Sequence, residues 1–267
     1  MLRLICTESD YEVPLKQWKF PCGEVGVSIQ ADDLHQIQGR EVGVILTWEG
    51  NDDLFALAQL VDILTHNGCI LDALLLPYFP YSRQDRRVNF GEAHALKVAG
   101  AFINSLKFQS VATFDPHSYV LEGVVDNLTY KPQDLCAYHL PVHEVLIAPD
   151  AGAAKKIYQH PQVVHGMANV ITAGKSRGPT GEILSTTCSD AHLIFNKTAC
   201  VVDDICDGGA TFIELGKLLR QSEPKELNLY VTHGFFTRGL DQLKAIYDNI
   251  FVYNLARLEF RGKVKEI

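Results

Sequence analysis

Apolar and polar positions alternate through residues 1–42, with Val25, Val27 and Ile29 as one such set. A period of two predicts antiparallel strands with one covered face. From Val42 the pattern changes. Val42–Leu46 is a short β-branched run, and Cys69–Leu76 is an apolar run ending in Pro77, both read as strands. Between them Asp52 and Asp53 open a segment in which Leu54, Leu57, Leu60, Val61 and Leu64 recur at helical spacing, which predicts an amphipathic helix. Ala93–Leu106 reads as a helix and Ser110–Phe114 as a strand. The order then repeats. Val145–Ala148 is a strand and Ala151–Gln159 a helix; Ala168–Thr172 and His192–Phe195 are weaker strands. A strand at Ala199–Val202, a helix at Thr211–Arg220, a strand at Leu227–Thr232, a helix at Arg238–Tyr247 and a strand at Ile250–Tyr253 complete the chain. Strands alternating with helices predict mainly parallel sheets flanked by helices. The two α/β halves meet near residues 131–144, where Pro132 and Pro141 punctuate the chain. We divide it into domains 1–136 and 137–267, the last residues being candidates to return to the first domain. In such sheets ligands bind beyond the C-terminal ends of strands.

Composition narrows the partners. The chain has 267 residues, enough for two domains, and 47% are apolar. A net charge of −8 argues against nucleic-acid and anionic-membrane binding. No apolar run reaches membrane-spanning length, and the N-terminus lacks the charged-then-apolar order of a secretory signal. The 7 Cys are scattered and odd in number, with no C-x-x-C pair, which points to reduced thiols in a cytoplasmic protein.

The densest chemistry follows the strand at Ala199–Val202. Asp203 and Asp204 stand at its end, then a tight turn, Asp207-Gly208-Gly209-Ala210-Thr211, leads into a helix. Backbone N–H groups at such a turn and helix start converge on an anion, and adjacent carboxylates suit hydroxyls. A phosphorylated sugar fits that pairing. After the strand ending at Leu76 comes Pro77-Tyr-Phe-Pro-Tyr-Ser-Arg-Gln-Asp-Arg-Arg87. Its guanidinium groups could fork onto phosphate oxygens and its aromatics stack on a base; a solvated charged loop is the competing reading. Asp115-Pro116-His117-Ser118 follows another strand, where His117 could ligate a metal or carry a proton or simply shape a turn. Asp150, ahead of a helix, is an N-cap or a Mg²⁺-related carboxylate. Ala173–Gly181 puts Lys175 and Arg177 in a glycine-rich segment, either a cationic loop for phosphoryl-type transfer or a hairpin turn. Neither a Walker A pattern nor G-x-G-x-x-G after a strand is present.

Taken in order, these segments resemble ribose-phosphate diphosphokinase, also called phosphoribosyl pyrophosphate synthetase, in a short form that ends soon after Asn254. Pro80-Tyr81-Ser82-Arg83-Gln84-Asp85-Arg86-Arg87 is similar to the family's Pro-Tyr-Ala-Arg-Gln-Asp segment, and Asn51-Asp52-Asp53-Leu54 to its Asn-Asp-x-Leu. Asp115-x-His117, Pro149-Asp150-Ala151-Gly152 and Thr232-His233-Gly234 follow in the family's order. The turn resembles the ribose-phosphate loop Asp-Asp-x-x-x-Thr-Gly-Gly-Thr of type I phosphoribosyltransferases, with Gly208 in place of the first Thr and Ala210 of the second Gly.

The resemblance implies two similar phosphoribosyltransferase-type, Rossmann-like domains. It also implies transfer of diphosphate from ATP to the 1-hydroxyl of ribose 5-phosphate, with Mg²⁺ as cofactor. Lys175 and Arg177 would be catalytic. Phe20, Glu24, Arg83, Gln84, Asp85 and His117 would bind ATP, Cys22 standing where the family's adenine loop has Asp or Asn. Asp203, Asp204, Asp207, Gly208, Gly209, Ala210 and Thr211 would hold ribose 5-phosphate, and His117 and Asp150 the metal. Phe20 and Glu24 reach a neighbouring subunit in that family, so a homo-oligomer, dimer or higher, is implied. A non-catalytic regulatory relative and a phosphoribosyltransferase are the alternatives; the latter would bind a base and need no ATP.

Overall fold

The computed structural model describes residues 1–177 and 183–267. The chain divides into two units, Met1–Tyr130 and Lys131–Ile267.

The first unit holds β1 (Leu2–Cys6), β2 (Tyr11–Val13), β3 (Leu15–Lys19), β4 (Val25–Ile29), α1 (Ala31–Ile37), β5 (Glu41–Leu46), α2 (Asp52–His66), β6 (Ile70–Leu76), α3 (Ala95–Ser105), β7 (Ser110–Phe114) and β8 (Leu128–Lys131). The boundary between units falls at the end of β8. The sheet order is β2-β1-β5-β6-β7-β8. β1 runs antiparallel to β5, whereas β5, β6 and β7 are parallel. Of the parallel strands, β5 and β6 are the mainly apolar runs of the sequence. Val42, Val44, Leu46, Leu74 and Leu76 pack with Leu57, Leu60 and Leu64 of α2 in one core. β3 and β4 form a separate hairpin. Gln59 of α2 clamps β4, donating to Val25 O at 2.9 Å and accepting from Val27 N at 3.2 Å, so α2 satisfies backbone groups that no strand covers.

The second unit holds α4 (Gln133–Cys136), β9 (Val145–Ala148), α5 (Ala151–Ile157), α6 (Pro161–Val164), β10 (Asn169–Thr172), β11 (Gly174–Arg177), β12 (Ile183–Thr187), β13 (Thr198–Cys206), α7 (Ala210–Arg220), β14 (Glu226–Gly234), α8 (Asp241–Lys244), β15 (Asn249–Leu255) and β16 (Lys265–Glu266). The sheet β10-β9-β13-β14-β15-β16 is parallel at every pairing. One face packs on α7 through Phe212, Leu215 and Leu219, with Val201, Leu229 and Val231 from the strands. The other packs on α5 through Ala153, Ala154 and Ile157, with Val202 and Tyr230. Burial on both faces explains the apolar stretches Ala199–Val202 in β13 and Leu229–Val231 in β14. The last residues stay with this unit, because β16 pairs with β15.

Three local expectations are corrected. His192–Phe195 is no strand: Ala191–Ile194 form a 3₁₀ turn. Residues 31–37, expected to belong to antiparallel strands, form α1. Arg238–Tyr247 is helical only over Asp241–Lys244. Among the described residues no helix is long and apolar enough to cross a membrane. The fold class expected from the sequence, α/β with mainly parallel sheets flanked by helices, is the one found.

Candidate active site

In the first unit the polar groups gather beyond the ends of β6 and β7. Pro77–Pro80 are buried, so the chain leaves β6 inside the protein and surfaces only at Tyr81. Tyr81 has a left-handed backbone, φ +62°, which turns the loop sharply. Its hydroxyl donates to Asn51 Oδ1 at 2.6 Å and its ring meets Trp48 edge-on at 6.0 Å. Asn51 thus fastens the start of α2 to the arginine loop. Beyond this anchor Arg83 and Gln84 are exposed, while Ser82 and Asp85 turn inward at 2% and 8% exposure.

Asp85 therefore faces the protein and braces the loop. Arg86 forks onto it, Nε at 2.7 Å and Nη2 at 2.9 Å. The Arg86 guanidinium, with a hydrogen bond from Ser118 and the charge of His117, holds the Asp85 carboxyl down at about 2 against an ordinary 3.8. The Arg83-Gln84-Asp85 loop and the Asp115–Ser118 loop are in this way one electrostatic unit. A backbone bond from Phe114 N to Pro77 O, 3.2 Å, ties them again. Asp115 is buried with φ +32°, while His117 is exposed. Phe20 and Glu24 close the β3–β4 hairpin, Phe20 N donating to Glu24 O at 2.7 Å. Phe20 is 47% exposed at its tip and meets Trp18 edge-on.

In the second unit β13 runs through the acidic pair and ends at Cys206, so Asp203 and Asp204 belong to its last residues. Asp203 accepts the N–H of Asp204 at 2.9 Å. Asp204 is buried and takes an ion pair from Lys156 of α5, Nζ to Oδ2 3.2 Å. Lys156 has no motif around it, and its placement beside the acidic pair was not read from the sequence. Asp150 caps α5, its Oδ1 accepting from Gly152 N at 2.9 Å and Ala153 N at 3.0 Å.

The turn after β13 is set by Gly209. Its φ of +78° favours glycine, and the methyls of Leu243 lie 3.4 and 3.6 Å from where a Cβ would stand. The first bond of the α7 ladder runs from Ile213 N to Gly209 O, 2.9 Å. The N–H groups of Ala210, Thr211 and Phe212 precede that ladder and mark the positive end of the helix dipole. Asp207 is held by Thr237, which donates its hydroxyl to Oδ1 at 2.8 Å and its N–H to the carbonyl at 2.9 Å. Thr232 and His233 are buried within β14, His233 Nδ1 lying 3.0 Å from Asn254 Nδ2.

The backbones of Lys175 and Arg177 lie in β11, which pairs antiparallel with β12 as one arm of a ribbon. The rest of the expected cationic loop, 178–182, lies outside the described residues. Among the described residues no group of three or more His, Cys, Asp or Glu forms a metal cage. A hard divalent cation that keeps its waters and is carried by substrate phosphates needs only one or two protein oxygens. The carboxylates at the strand ends fit that mode of binding.

The chain is similar to known proteins. The chain is 25% identical over 250 residues to a ribose-phosphate pyrophosphokinase of Ureaplasma parvum, covering 89% of this chain and 73% of the relative. A ribose-phosphate pyrophosphokinase of Buchnera aphidicola is 25% identical over 253 residues, 90% and 78% of the two chains. One from a Marinomonas species is 26% identical over 249 residues, 88% and 76%. The crystal structure of phosphoribosylpyrophosphate synthetase from Mycobacterium smegmatis superposes with a TM-score of 0.77 over 90% of this chain and 80% of that one, at 20% identity. No protein-family model matches the chain. The relatives bear out the family resemblance carried by the motifs, and the solved structure bears out the fold.

Proposed function

We propose that this chain is a ribose-phosphate pyrophosphokinase, which moves the terminal diphosphate of ATP onto the 1-hydroxyl of ribose 5-phosphate. The oxygen of that hydroxyl bonds to the β-phosphorus, the bond from the β-phosphorus to the α-phosphate oxygen breaks, AMP leaves and the hydroxyl proton is lost. The observation that carries this reading is the sugar-phosphate type of turn at Asp203–Thr211 in a chain that also holds the exposed Arg83-Gln84 loop. A base-transferring enzyme would use the turn but has no need of that loop. Similarity to ribose-phosphate pyrophosphokinases along nine-tenths of the chain supports the same choice.

The chemistry asks for no protein nucleophile. It needs in-line placement, charge neutralisation and exclusion of water. In this reading the turn at Asp207–Thr211 takes the 5-phosphate and Asp203 and Asp204 take ribose hydroxyls. Arg83, Gln84 and His117, braced by Asp85, take the nucleotide, and Phe20 and Glu24 contact adenine. Lys175 and Arg177 stabilise the charge that moves with the diphosphoryl group. His117 in the first unit and Asp150 in the second would each hold Mg²⁺ carried mainly by nucleotide phosphates, and the bound ion would supply charge neutralisation. A homo-oligomer in which Phe20 serves a neighbouring copy, and a cytoplasmic location for a chain whose cysteines are all free, belong to the same proposal.

The test is an assay of purified protein with ribose 5-phosphate, ATP and Mg²⁺. AMP should appear only when all three are supplied, and Lys175→Ala should lose most turnover while keeping its fold. Well-folded protein that releases no AMP would overturn the reading.

A further inference from the structure

The turn at Asp207–Thr211 stands in an acidic surrounding for a group meant to hold a phosphate dianion. Three carboxylates, Asp203, Asp204 and Asp207, stand in the same short run, and the chain as a whole carries −8. The helix terminus supplies about half a positive charge. The nearby Lys156 is engaged with Asp204. A cation of this chain should therefore stand at the turn itself, and the structure provides one on the segment after β14.

That segment is firmly placed. Phe236 has φ +49° and is 1% exposed; its ring lies edge-on to Phe260 at 5.8 Å. The ring also lies where a side chain at 234 would be, a Cβ there meeting Phe236 Cε2 at 2.4 Å. Gly234 thus seats Phe236. Phe235 N donates to Cys206 O at 2.9 Å, Thr237 binds Asp207 twice, and Gly239, φ +80°, closes the loop through a 2.8 Å bond to Phe236 O. These bonds hold the intervening residue, Arg238, against the turn. A Cβ at Gly208 would lie 3.3 Å from Arg238 Nε, 3.4 Å from Cδ and 3.6 Å from Cγ. The missing side chain at 208, where the sugar-phosphate loop pattern has Thr, is what gives Arg238 its room. Arg238 is exposed, and among the described residues no carboxylate pairs with it.

We propose that Arg238 is a direct ligand of the 5-phosphate, its guanidinium lying over Gly208 to complete the anion site formed by the turn and the start of α7. The proposal rests on the reading of this turn as the sugar-phosphate site. A guanidinium can give a phosphate two parallel N–H bonds and a full charge, which a threonine hydroxyl at 208 could not.

Arg238→Gln and Arg238→Lys test it, both conservative in size at an exposed position. Calorimetric titration of each protein with ribose 5-phosphate gives the affinity, and the AMP assay gives KM and kcat. Arg238→Gln should weaken ribose 5-phosphate binding and raise its KM by at least ~10-fold, leaving the KM for ATP and the thermal midpoint unchanged. Arg238→Lys should fall between. Use of unphosphorylated ribose as a poor acceptor should not change, because the lost contact is to the phosphate. Equal affinity of wild type and Arg238→Gln for ribose 5-phosphate, or no binding by the wild type, would overturn the proposal. Binding without AMP release by the wild type would instead sink the diphosphokinase reading, while the affinity comparison would still decide the role of Arg238.

Discussion

Asp85→Asn is the most informative single substitution in the first unit. The side chain is 8% exposed and carries both Arg86 hydrogen bonds. Asparagine keeps the shape and an acceptor for Ser118 but removes the charge. The shift from 3.8 to about 2 corresponds to roughly 2.4 kcal/mol if all of it reached stability. Arg86 is 73% exposed, however, and water screens its share. We therefore expect a loss of about 1–1.5 kcal/mol at pH 7. The sign follows from the ionised form being favoured in the folded protein. The stabilisation is whole above pH 3.8 and is lost as the pH falls from there towards 2. The assay is urea unfolding followed by tryptophan fluorescence. The chain has 2 Trp, Trp18 and Trp48, both in the first unit, so the signal reports that unit without interference from the second. The midpoint of Asp85→Asn should drop at pH 7, and the gap to wild type should narrow as pH falls below 4. A double-mutant cycle with Arg86→Ala should return a positive coupling. Equal midpoints at pH 7, or a gap that does not narrow in acid, would refute the reasoning.

Lys156→Met should remove about 2–3 kcal/mol from the second unit by leaving the carboxylate of Asp204 without its buried partner. It should also raise the KM for ribose 5-phosphate, and Lys156→Arg should recover most of both in calorimetry and the AMP assay. Burial holds the imidazoles of His143 and His160 below their usual 6.5. The unfolded chain then binds protons that the folded one refuses, so stability should fall as pH drops below 6.5; replacing both with Gln should flatten that slope in thermal scans, and an unchanged slope would remove them as its source. Gly209→Ala forces a side chain into φ +78°; we expect a cost of about 1 kcal/mol and weaker binding of ribose 5-phosphate by titration, and unaltered binding would show that the turn geometry does not matter to the ligand.

Much of the fold was legible because its central strands are buried on both faces. Val145–Ala148 reads as four apolar residues in a row and is buried throughout. Where burial is partial the sequence misleads. In α1 Ile37 is fully buried and Leu34 only partly, too little to print a helical period over seven residues. Ala191–Ile194 resembles a strand in composition, but only Ile194 is buried, and Asn196 at φ +53° ends it. The motifs located the loops correctly at strand ends but not the direction of each side chain. Asp85 and Arg83 are indistinguishable in a string, yet one braces the loop and the other faces solvent. Lys156 and Arg238 were missed for a related reason. A lysine in the last turn of a helix normally suits the helix dipole and water. Only the fold brings this one to a carboxylate 48 positions away. Arg238 owes its place to Gly208, and no sequence spacing signals that contact.

The central claim is the transfer of an intact diphosphate to the sugar, and phosphorus NMR of the product mixture tests it most directly. Incubation with ATP, ribose 5-phosphate and Mg²⁺ should give AMP and a sugar carrying both a 5-phosphate and a diphosphate on C1, in equal amounts. ADP with a singly transferred phosphate, AMP with free diphosphate and unchanged ribose 5-phosphate, or no turnover of ATP would each contradict it.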